Sequence, residues 1–326
     1  MPKIRRAPQT AIGFVALVIA GCAFALRYLS ITNHATVITA ALSPYLMLCA
    51  PVSAALLIWG RRWVLAIAAL GLTVAAVAVQ LPLYVGSDAS RTAGIDIRVI
   101  SANIYEGTAD PQSLVEAAQA QADVIAFQEL TPQAVDGLSR AGLDATFPYR
   151  WLDARGDARG VGIWSRFPIE APTRIGGYTF AFLTARIRVM GPSTDPTVVV
   201  AHLPSPWPYP IDDRRHDLDR LPATLSEIGD QAGAGCVIVT ADVNSTFDMR
   251  PFRALLHNGY RDAAEQSGAG FKPTYPGNSR LPPLIVIDHV LTRNCTATSL
   301  RTLEIPGSDH RGLGVTIAIP QSSTHH

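Results

Sequence analysis

Lysine is almost missing from this chain: Lys3 and Lys272 are the only two, and arginine supplies the other positive side chains. Charge of either sign is scarce too. It makes up 16% of the 326 residues, against about 25% in an average soluble chain, so part of the chain is expected outside water. The formal net charge is only +1, which excludes the global polycation that a nucleic-acid backbone attracts. The four cysteines do not cluster with histidines at zinc spacing, which disfavours a zinc centre. There is no internal repeat and no low-complexity tract, so a repeat array is not expected.

What the sequence does have is apolar length at one end. Ala7 to Leu26, Ala35 to Gly60 and Trp63 to Ser87 contain no charged residue. A bilayer core takes about 20 apolar residues in a helix, and each run reaches that. The alternative is one cleaved signal peptide followed by buried helices; three such runs so close together argue against it. Pro44 and Pro51 are expected to kink the second helix, as membrane helices tolerate. Lys3, Arg5 and Arg6 precede the first run, and Arg61 and Arg62 separate the second from the third. Both basic clusters belong on the cytoplasmic side. Everything after about Gly86 is then outside the cytoplasm, away from the chromosome and cytosolic metabolites. "IAGC" at 19–22 resembles a lipoprotein cleavage box, but apolar Phe24 and Leu26 follow the cysteine.

The predicted organisation is a three-helix membrane anchor over 1–86, a polar linker at 87–94, a catalytic domain over 95–320 and a tail over 321–326. The linker, fully extended, spans at most about 28 Å, which keeps the domain near the bilayer. From Ile95 onward, short apolar strands such as "IDIRVISANI", "DVIAFQEL", "TVVVAHL" and "CVIVTADVN" mix with a few helices. A helix is predicted from Pro111, with Asp110 as its cap and the proline at its first position. Further helices are predicted over 213–230 and 251–256. Many strands with few helices between them point to an α/β sandwich, with helices covering two sheets.

Several of these strands begin or end in polar residues that no core wants: Asn103, Gln128 with Glu129, His202, Asp242 with Asn244, Asp288, and Asp309 with His310. One carboxylate at a strand end is usually a cap or turn residue. So many in one domain point to a shared sheet rim where carboxylates crowd together. Crowded carboxylates repel, and a hard cation with oxygen ligands relieves them; Mg²⁺ is the first candidate, with Mn²⁺ and Ca²⁺ next.

Asn103, "QE" at 128–129, "SRFPI" at 165–169, "HL" at 202–203, "ADVN" at 241–244, "IDHV" at 287–290 and "SDH" at 308–310 occur in that order. This series resembles the endonuclease/exonuclease/phosphatase superfamily, with its DNase I-like fold, over residues 95 to 318. With the apolar N-terminus it also resembles a membrane-bound bacterial branch. The resemblance implies a four-layered α/β sandwich and metal-assisted hydrolysis of phosphate esters. It implies Glu129 and Asn103 as metal ligands, with Asp309 contributing. Asp242 would orient or deprotonate the attacking water, and Asn244 would hydrogen-bond a phosphate oxygen. His310 would contact the phosphate or act as base, with Asp288 fixing its tautomer, and His202 would protonate the leaving group. Arg166 and Arg311 join Asn244 as candidate substrate-binding residues. Many relatives carry an acid two places after the first asparagine, where this chain has Tyr105 followed by Glu106, so a second metal-binding carboxylate on that strand is not expected.

Two open readings remain for the outer cysteines. If the strands of Asp242 and Asp288 run antiparallel with both aspartates at the rim, Cys236 and Cys295 meet at the far end and can bond; otherwise they are two buried thiols. The loop "HLPSPWPYPIDDRRHD" carries Trp207 and Tyr209, which either touch the membrane interface or pack on their own domain. Arg214 and Arg215 either bind phosphate or form a solvated helix face. The expected activity is hydrolysis of a lipid head group or cell-envelope phosphoester, preferably a diester. An extracytoplasmic nuclease is the alternative, disfavoured by the absence of a basic stripe, and an inactive membrane binding protein is the third reading.

Overall fold

The computed structural model describes residues 7–30, 33–86, 94–192, 194–280 and 282–321. The basic residues Lys3, Arg5 and Arg6, nearly all of the predicted linker and the C-terminal residues 322–326 lie outside the described residues. Helices are α1 (Ala7–Leu26), α2 (His34–Ala41), α3 (Ser43–Met47), α4 (Cys49–Trp59), α5 (Trp63–Gln80), α6 (Pro82–Val85), α7 (Pro111–Gln121), α8 (Pro132–Arg140), α9 (Leu143–Thr146), α10 (Ile211–Ala232), α11 (Arg250–Arg253) and α12 (Ala263–Ser267). Strands are β1 (Gly94–Asn103), β2 (Val124–Gln128), β3 (Tyr149–Asp153), β4 (Val161–Ser165), β5 (Ile169–Arg174), β6 (Phe182–Ile187), β7 (Thr197–His202), β8 (Val237–Asp242), β9 (Arg261–Asp262), β10 (Asp288–Arg293), β11 (Thr296–Leu303) and β12 (Gly312–Pro320). The chain divides into two compact units: Met1–Pro82 with Thr246–Arg253, and the remainder.

In the first unit, α1 and α5 are each long and apolar enough to cross a membrane. The second apolar run is not one straight helix. It breaks between α2 and the α3–α4 stretch, with a bend of 62°, so the three expected spans become two plus one broken segment. Pro44 lies in the first turn of α3, where its ring fits and a preceding helix cannot continue through it. α1 buries Gly13, Ala16, Ala20 and Ala23 on one face, the small residues that let helix backbones approach closely. Ser53 Oγ on α4 donates to Gly13 O at 2.7 Å, and a Cβ on Gly13 would lie 3.0 Å from Leu57 Cγ. Gly13→Leu is therefore expected to pry α1 from α4 and cost about 1–3 kcal/mol, read as a lower melting temperature in detergent. Gly21→Leu, where a Cβ meets nothing within 4 Å, is the control. Outward, Val64, Ile67, Val74 and Val77 of α5 are exposed. Asp248 pairs with buried Arg27 and accepts from Gln80 Nε2 at 2.7 Å.

The second unit is an α/β sandwich of two six-stranded sheets, ordered β11-β12-β1-β2-β4-β3 and β5-β6-β7-β8-β10-β9. Alternation builds it. Ile97 and Val99 of β1 and Val124 and Ala126 of β2 join a core with Leu183, Val198, Val200, Ile238 and Val290 of the other sheet. Their neighbours Ile100, Ala102, Ile125 and Phe127 face the opposite way and pack with Leu114, Val115 and Leu138 of α7 and α8. Both faces are covered, so these strands read as continuous apolar runs rather than alternating ones. α10 buries Leu218, Leu221, Leu225 and Ile228 and packs beside β8. α7 begins as predicted, with Asp110 Oδ2 accepting from Ser113 N at 2.8 Å and Pro111 in its first turn. The helix predicted over 251–256 shrinks to the single turn of α11.

Candidate active site

Register brings the polar strand ends together. β1 and β2 are parallel with Asn103 beside Gln128. β7 and β8 are parallel with His202 beside Asp242. β10 is antiparallel to β8 with Asp288 beside Asp242. Asn103, His202, Asp242, Asp288 and His310 are all buried.

Direct hydrogen bonds join the two sheets at this rim. Asn103 Nδ2 donates to Glu129 Oε1 at 2.8 Å and to Asp242 Oδ2 at 3.0 Å. Glu129 Oε2 accepts from Glu106 N at 2.8 Å, so Glu106 meets Glu129 through its backbone N–H. His202 Nδ1 donates to Ala158 O at 2.9 Å, because a carbonyl only accepts. That leaves Nε2 at 3.5 Å from Asp242 Oδ2 and 3.9 Å from Glu129 Oε1. His310 Nδ1 donates to Asp288 Oδ2 at 2.8 Å, and its Nε2 stands 3.8 Å from Asp242 Oδ2. Asn244 N donates to Asp242 Oδ1 at 2.9 Å, and Asn244 Nδ2 donates to Leu203 O at 2.9 Å.

The "SDH" stretch occupies a strand edge because the rim holds it there. Ser308 Oγ donates to Asn103 O at 2.8 Å and accepts from His310 N at 3.0 Å. Gly277 N donates to Asp309 O at 2.5 Å, and a Cβ on Gly277 would lie 2.7 Å from the His310 carbonyl carbon, an approach only glycine permits. Tyr105, Glu106, Glu129 and Asn244 all have positive φ. For Glu129 in particular that is stored backbone strain, of the kind that gathers at functional sites.

Burial pushes the Asp242 carboxyl up to about 6, with Asp288 adding repulsion against the pull of His310 and His202. Burial opposes a charged His310, but Asp288 and Asp242 outweigh it and raise that imidazole to about 10. Burial also raises Asp309, against the attraction of His310.

Two carboxylate oxygens here, Asp288 Oδ1 and Asp309 Oδ1, are buried without a hydrogen-bond partner. An all-oxygen set with orphaned carboxylate oxygens fits a hard divalent cation. Ligand atoms of Asp242, Asp288 and His310 lie within 4.8 Å of one another. His310 Nδ1 is already taken by Asp288 Oδ2, so the oxygen donors that remain for a cation at the rim are Glu129 and the unpartnered oxygens of Asp309 and Asp288. Asn103, expected as a ligand, presents Nδ2 to both carboxylates while its Oδ1 accepts from Tyr105 N at 2.9 Å; so arranged it joins the carboxylates as a donor instead. Magnesium titration should add about 2.7 kcal/mol of stability at a hundred times its Kd, read as a higher melting temperature. A melt unmoved by Mg²⁺, Mn²⁺ and Ca²⁺ would rule this cation site out.

Arg166 is not at this site. β4 runs antiparallel to β2, with Val161 beside Gln128 and Ser165 beside Val124, so Arg166 emerges at the opposite end. There its Nε donates to Ala122 O at 2.8 Å and Nη2 to Gln119 O at 2.8 Å, over the Phe147 ring. It anchors structure rather than substrate. Arg311 follows His310, donates its backbone N–H to Thr274 O at 2.7 Å and pairs with Glu304 at 3.4 Å. Sequence reasoning left Tyr209 and Tyr275 unassigned to the rim. Tyr209 and His202 both pack edge-on to Phe180, each at 4.9 Å between ring centroids, and Tyr275 lies 5.1 Å from His310. Cys236 and Cys295 are bonded at the far end of the β8–β10 pair, with Cα atoms 5.3 Å apart.

Two packed sheets that bring buried carboxylates, histidines and asparagines to one rim define a phosphoesterase fold. The chain belongs to the Endonuclease/Exonuclease/phosphatase family, whose family model matches residues 100–310. Solved structures agree on the fold. A humanized D. rerio TDP2 carrying 14 mutations is 18% identical, with a TM-score of 0.57 over 68% of this chain and 98% of that one. TDP2 from C. elegans is 14% identical, with a TM-score of 0.55 over 89% of this chain and 94% of that one. An endonuclease/exonuclease/phosphatase family protein from Bacteroides thetaiotaomicron is 13% identical, with a TM-score of 0.55 over 72% and 99%. Comparison of the sequence with curated proteins gives no match.

Proposed function

We propose that this protein is a membrane-anchored, extracytoplasmic, metal-dependent phosphohydrolase that cleaves a phosphoester, preferably a diester, of a lipid head group or cell-envelope component. The observation that carries the reading is the convergence of Asn103, Glu129, His202, Asp242, Asp288 and His310 on one rim, linked across the two sheets by hydrogen bonds. The apolar helices support the anchor, and the basic residues flanking them support the orientation.

Glu129, Asp309 and Asp288 would hold the cation, Mg²⁺ first, with Mn²⁺ or Ca²⁺ as substitutes. When bound it supplies charge neutralisation on the phosphate and a more acidic water. Asp242, raised to about 6, has the affinity for a proton that suits a general base near neutral pH. Its Oδ2 is fixed by Asn103 and flanked by both imidazoles. His310, locked by Asp288 and held protonated by its two carboxylate neighbours, suits contact with a phosphate oxygen better than proton abstraction. Asn244 adds an amide donor beside it. His202, which donates its Nδ1–H to Ala158 O, carries Nε2 toward the same point and, in its doubly protonated imidazolium form, would deliver the Nε2 proton to the leaving oxygen. Few charged groups and a net charge of +1 favour a membrane or envelope ester over an extended polyanion.

The test is digestion of total membrane lipids by the full-length protein with Mg²⁺, following released phosphorylated head groups by mass spectrometry. Release that disappears with EDTA supports the proposal. No release, from a preparation that still cuts DNA, RNA or a generic diester, overturns the lipid assignment in favour of a nuclease or a soluble envelope substrate.

A further inference from the structure

Three ionisable side chains lie buried near this site with no part in the chemistry above: Arg214, Asp262 and His289. Arg214 stands in the first turn of α10, and only 2% of it is exposed. Its Nη2 donates to Asn244 O at 2.8 Å and to Ser245 Oγ at 2.7 Å. His289 follows Asp288 on β10, and strand alternation sends it to the other face of the sheet. Its Nε2 lies 3.0 Å from Ser245 O, a carbonyl that can only accept, so Nε2 donates. Its Nδ1 lies 3.0 Å from Asp262 Oδ2. Asp262 is in turn fixed as the cap of α12, its Oδ1 accepting from Ala264 N at 2.8 Å.

Both carbonyls of the Asn244–Ser245 turn are thus taken by buried donors on two different elements. That turn holds Asn244 at φ +48°, with its side chain 3.5 Å from His202 Nε2. Buried charges are costly, and apolar residues of similar size would pack the same space at least as stably. The arrangement is economical only if the position of the turn matters.

We propose that Arg214 and the His289–Asp262 pair are positioning residues that clamp the carbonyls of Asn244 and Ser245 and so hold the Asn244 amide in place for the phosphate. The inference rests on the hydrolase reading above. Neither Arg214 nor His289 touches substrate; both act through Asn244.

The pair of substitutions His289→Gln and His289→Asn separates this from plain packing. A glutamine amide reaches the place of Nε2 and keeps the donor to Ser245 O. An asparagine amide reaches the place of Nδ1 and loses it. With full-length protein, Mg²⁺ and bis(p-nitrophenyl) phosphate, His289→Asn and Arg214→Ala are expected to lower kcat about 10²-fold, the order that small misplacement of a catalytic group produces. His289→Gln stays within about threefold of the parent, and guanidinium partly restores Arg214→Ala. In an Asn244→Ala background the further losses shrink to near nothing, because residues acting through one group are not additive. Losses that persist at full size in that background overturn the clamp and leave a structural role. Binding of inorganic phosphate by calorimetry provides a readout independent of turnover, with the same expected pattern in Kd. A parent protein that neither hydrolyses the ester nor binds phosphate overturns the hydrolase reading and the clamp with it. A parent that does both, with His289→Asn unchanged, overturns the clamp alone.

Discussion

His310→Asn is expected to leave the fold intact while lowering kcat by about 10²–10³-fold, the cost of removing one preorganised donor to the charge that develops on the phosphate. The asparagine amide reaches the place of Nδ1 and keeps the hydrogen bond to Asp288 Oδ2, which is 2.8 Å in the parent. It has nothing at the place of Nε2, the atom that faces Asp242 at 3.8 Å. The buried Asp288 therefore keeps its partner, and the loss is chemical rather than structural. His310→Ala would be less informative, because an unpaired buried carboxylate costs about 3–5 kcal/mol by itself. Asp288→Asn should also be severe, since its amide can present a donor where His310 Nδ1–H needs an acceptor, and the ring then loses its orientation. The two substitutions together should cost about as much as the worse of them alone, as expected for a pair working as one unit. Retention of more than about a tenth of kcat by His310→Asn, with an unchanged melting temperature, would remove His310 from the mechanism.

The strand ends were readable because burial and chemistry conflict there. "VIAFQE", "VVVAH" and "IVTAD" each carry a core-forming run into a residue that a core rejects, and the only consistent place for such residues is a rim. Their common placement then follows from pairing: parallel β1–β2 and β7–β8 put both C-terminal ends on one side, and antiparallel β10 enters from that side. Arg166 was misplaced for the complementary reason. It follows a buried strand just as Glu129 does, but nothing in "GIWSRFPI" states which way the strand runs, and β4 runs opposite to β2. The edge strands β3, β5, β9 and β11 escaped a reading built on apolar runs because they are short or largely solvent-facing; β9 has two residues, and β5 exposes Ala171, Pro172, Thr173 and Arg174. Arg214 was ambiguous for want of tertiary context. On a helix with acidic and basic neighbours it matches a solvated face, and only the approach of the 244–245 carbonyls distinguishes it from exposed Arg215. Likewise, an uncharged run long enough to span a bilayer did not reveal the 62° bend after α2.

Replacing both Cys236 and Cys295 with alanine should lower the stability of the catalytic domain by about 4 kcal/mol if chain entropy governs the effect. The bond closes a loop with a sequence separation of 59, and the penalty arises mainly because the reduced chain gains conformations once unfolded. For a domain of this size, about 2–4 °C of melting temperature accompanies each kcal/mol, so a fall of roughly 8–16 °C is expected. The register predicts what should not change. Asp242 faces Asp288 at one end of the β8–β10 pair, and Val237 faces Arg293 at the other. The cysteines lie beyond that second end, so kcat measured well below the melting transition should match the parent even as the midpoint falls. A shift of less than about 2 °C would mean that the bond hardly constrains the unfolded chain. A large shift accompanied by an equal loss of kcat at low temperature would mean that the sheet transmits strain along its full length, and the rim could no longer be treated as fixed by local hydrogen bonds alone. The bond also bears on location. A disulfide persists in an oxidising compartment, so finding it intact in protein alkylated directly in cells would agree with an extracytoplasmic catalytic domain, whereas two freely alkylated thiols would argue for the cytoplasmic side.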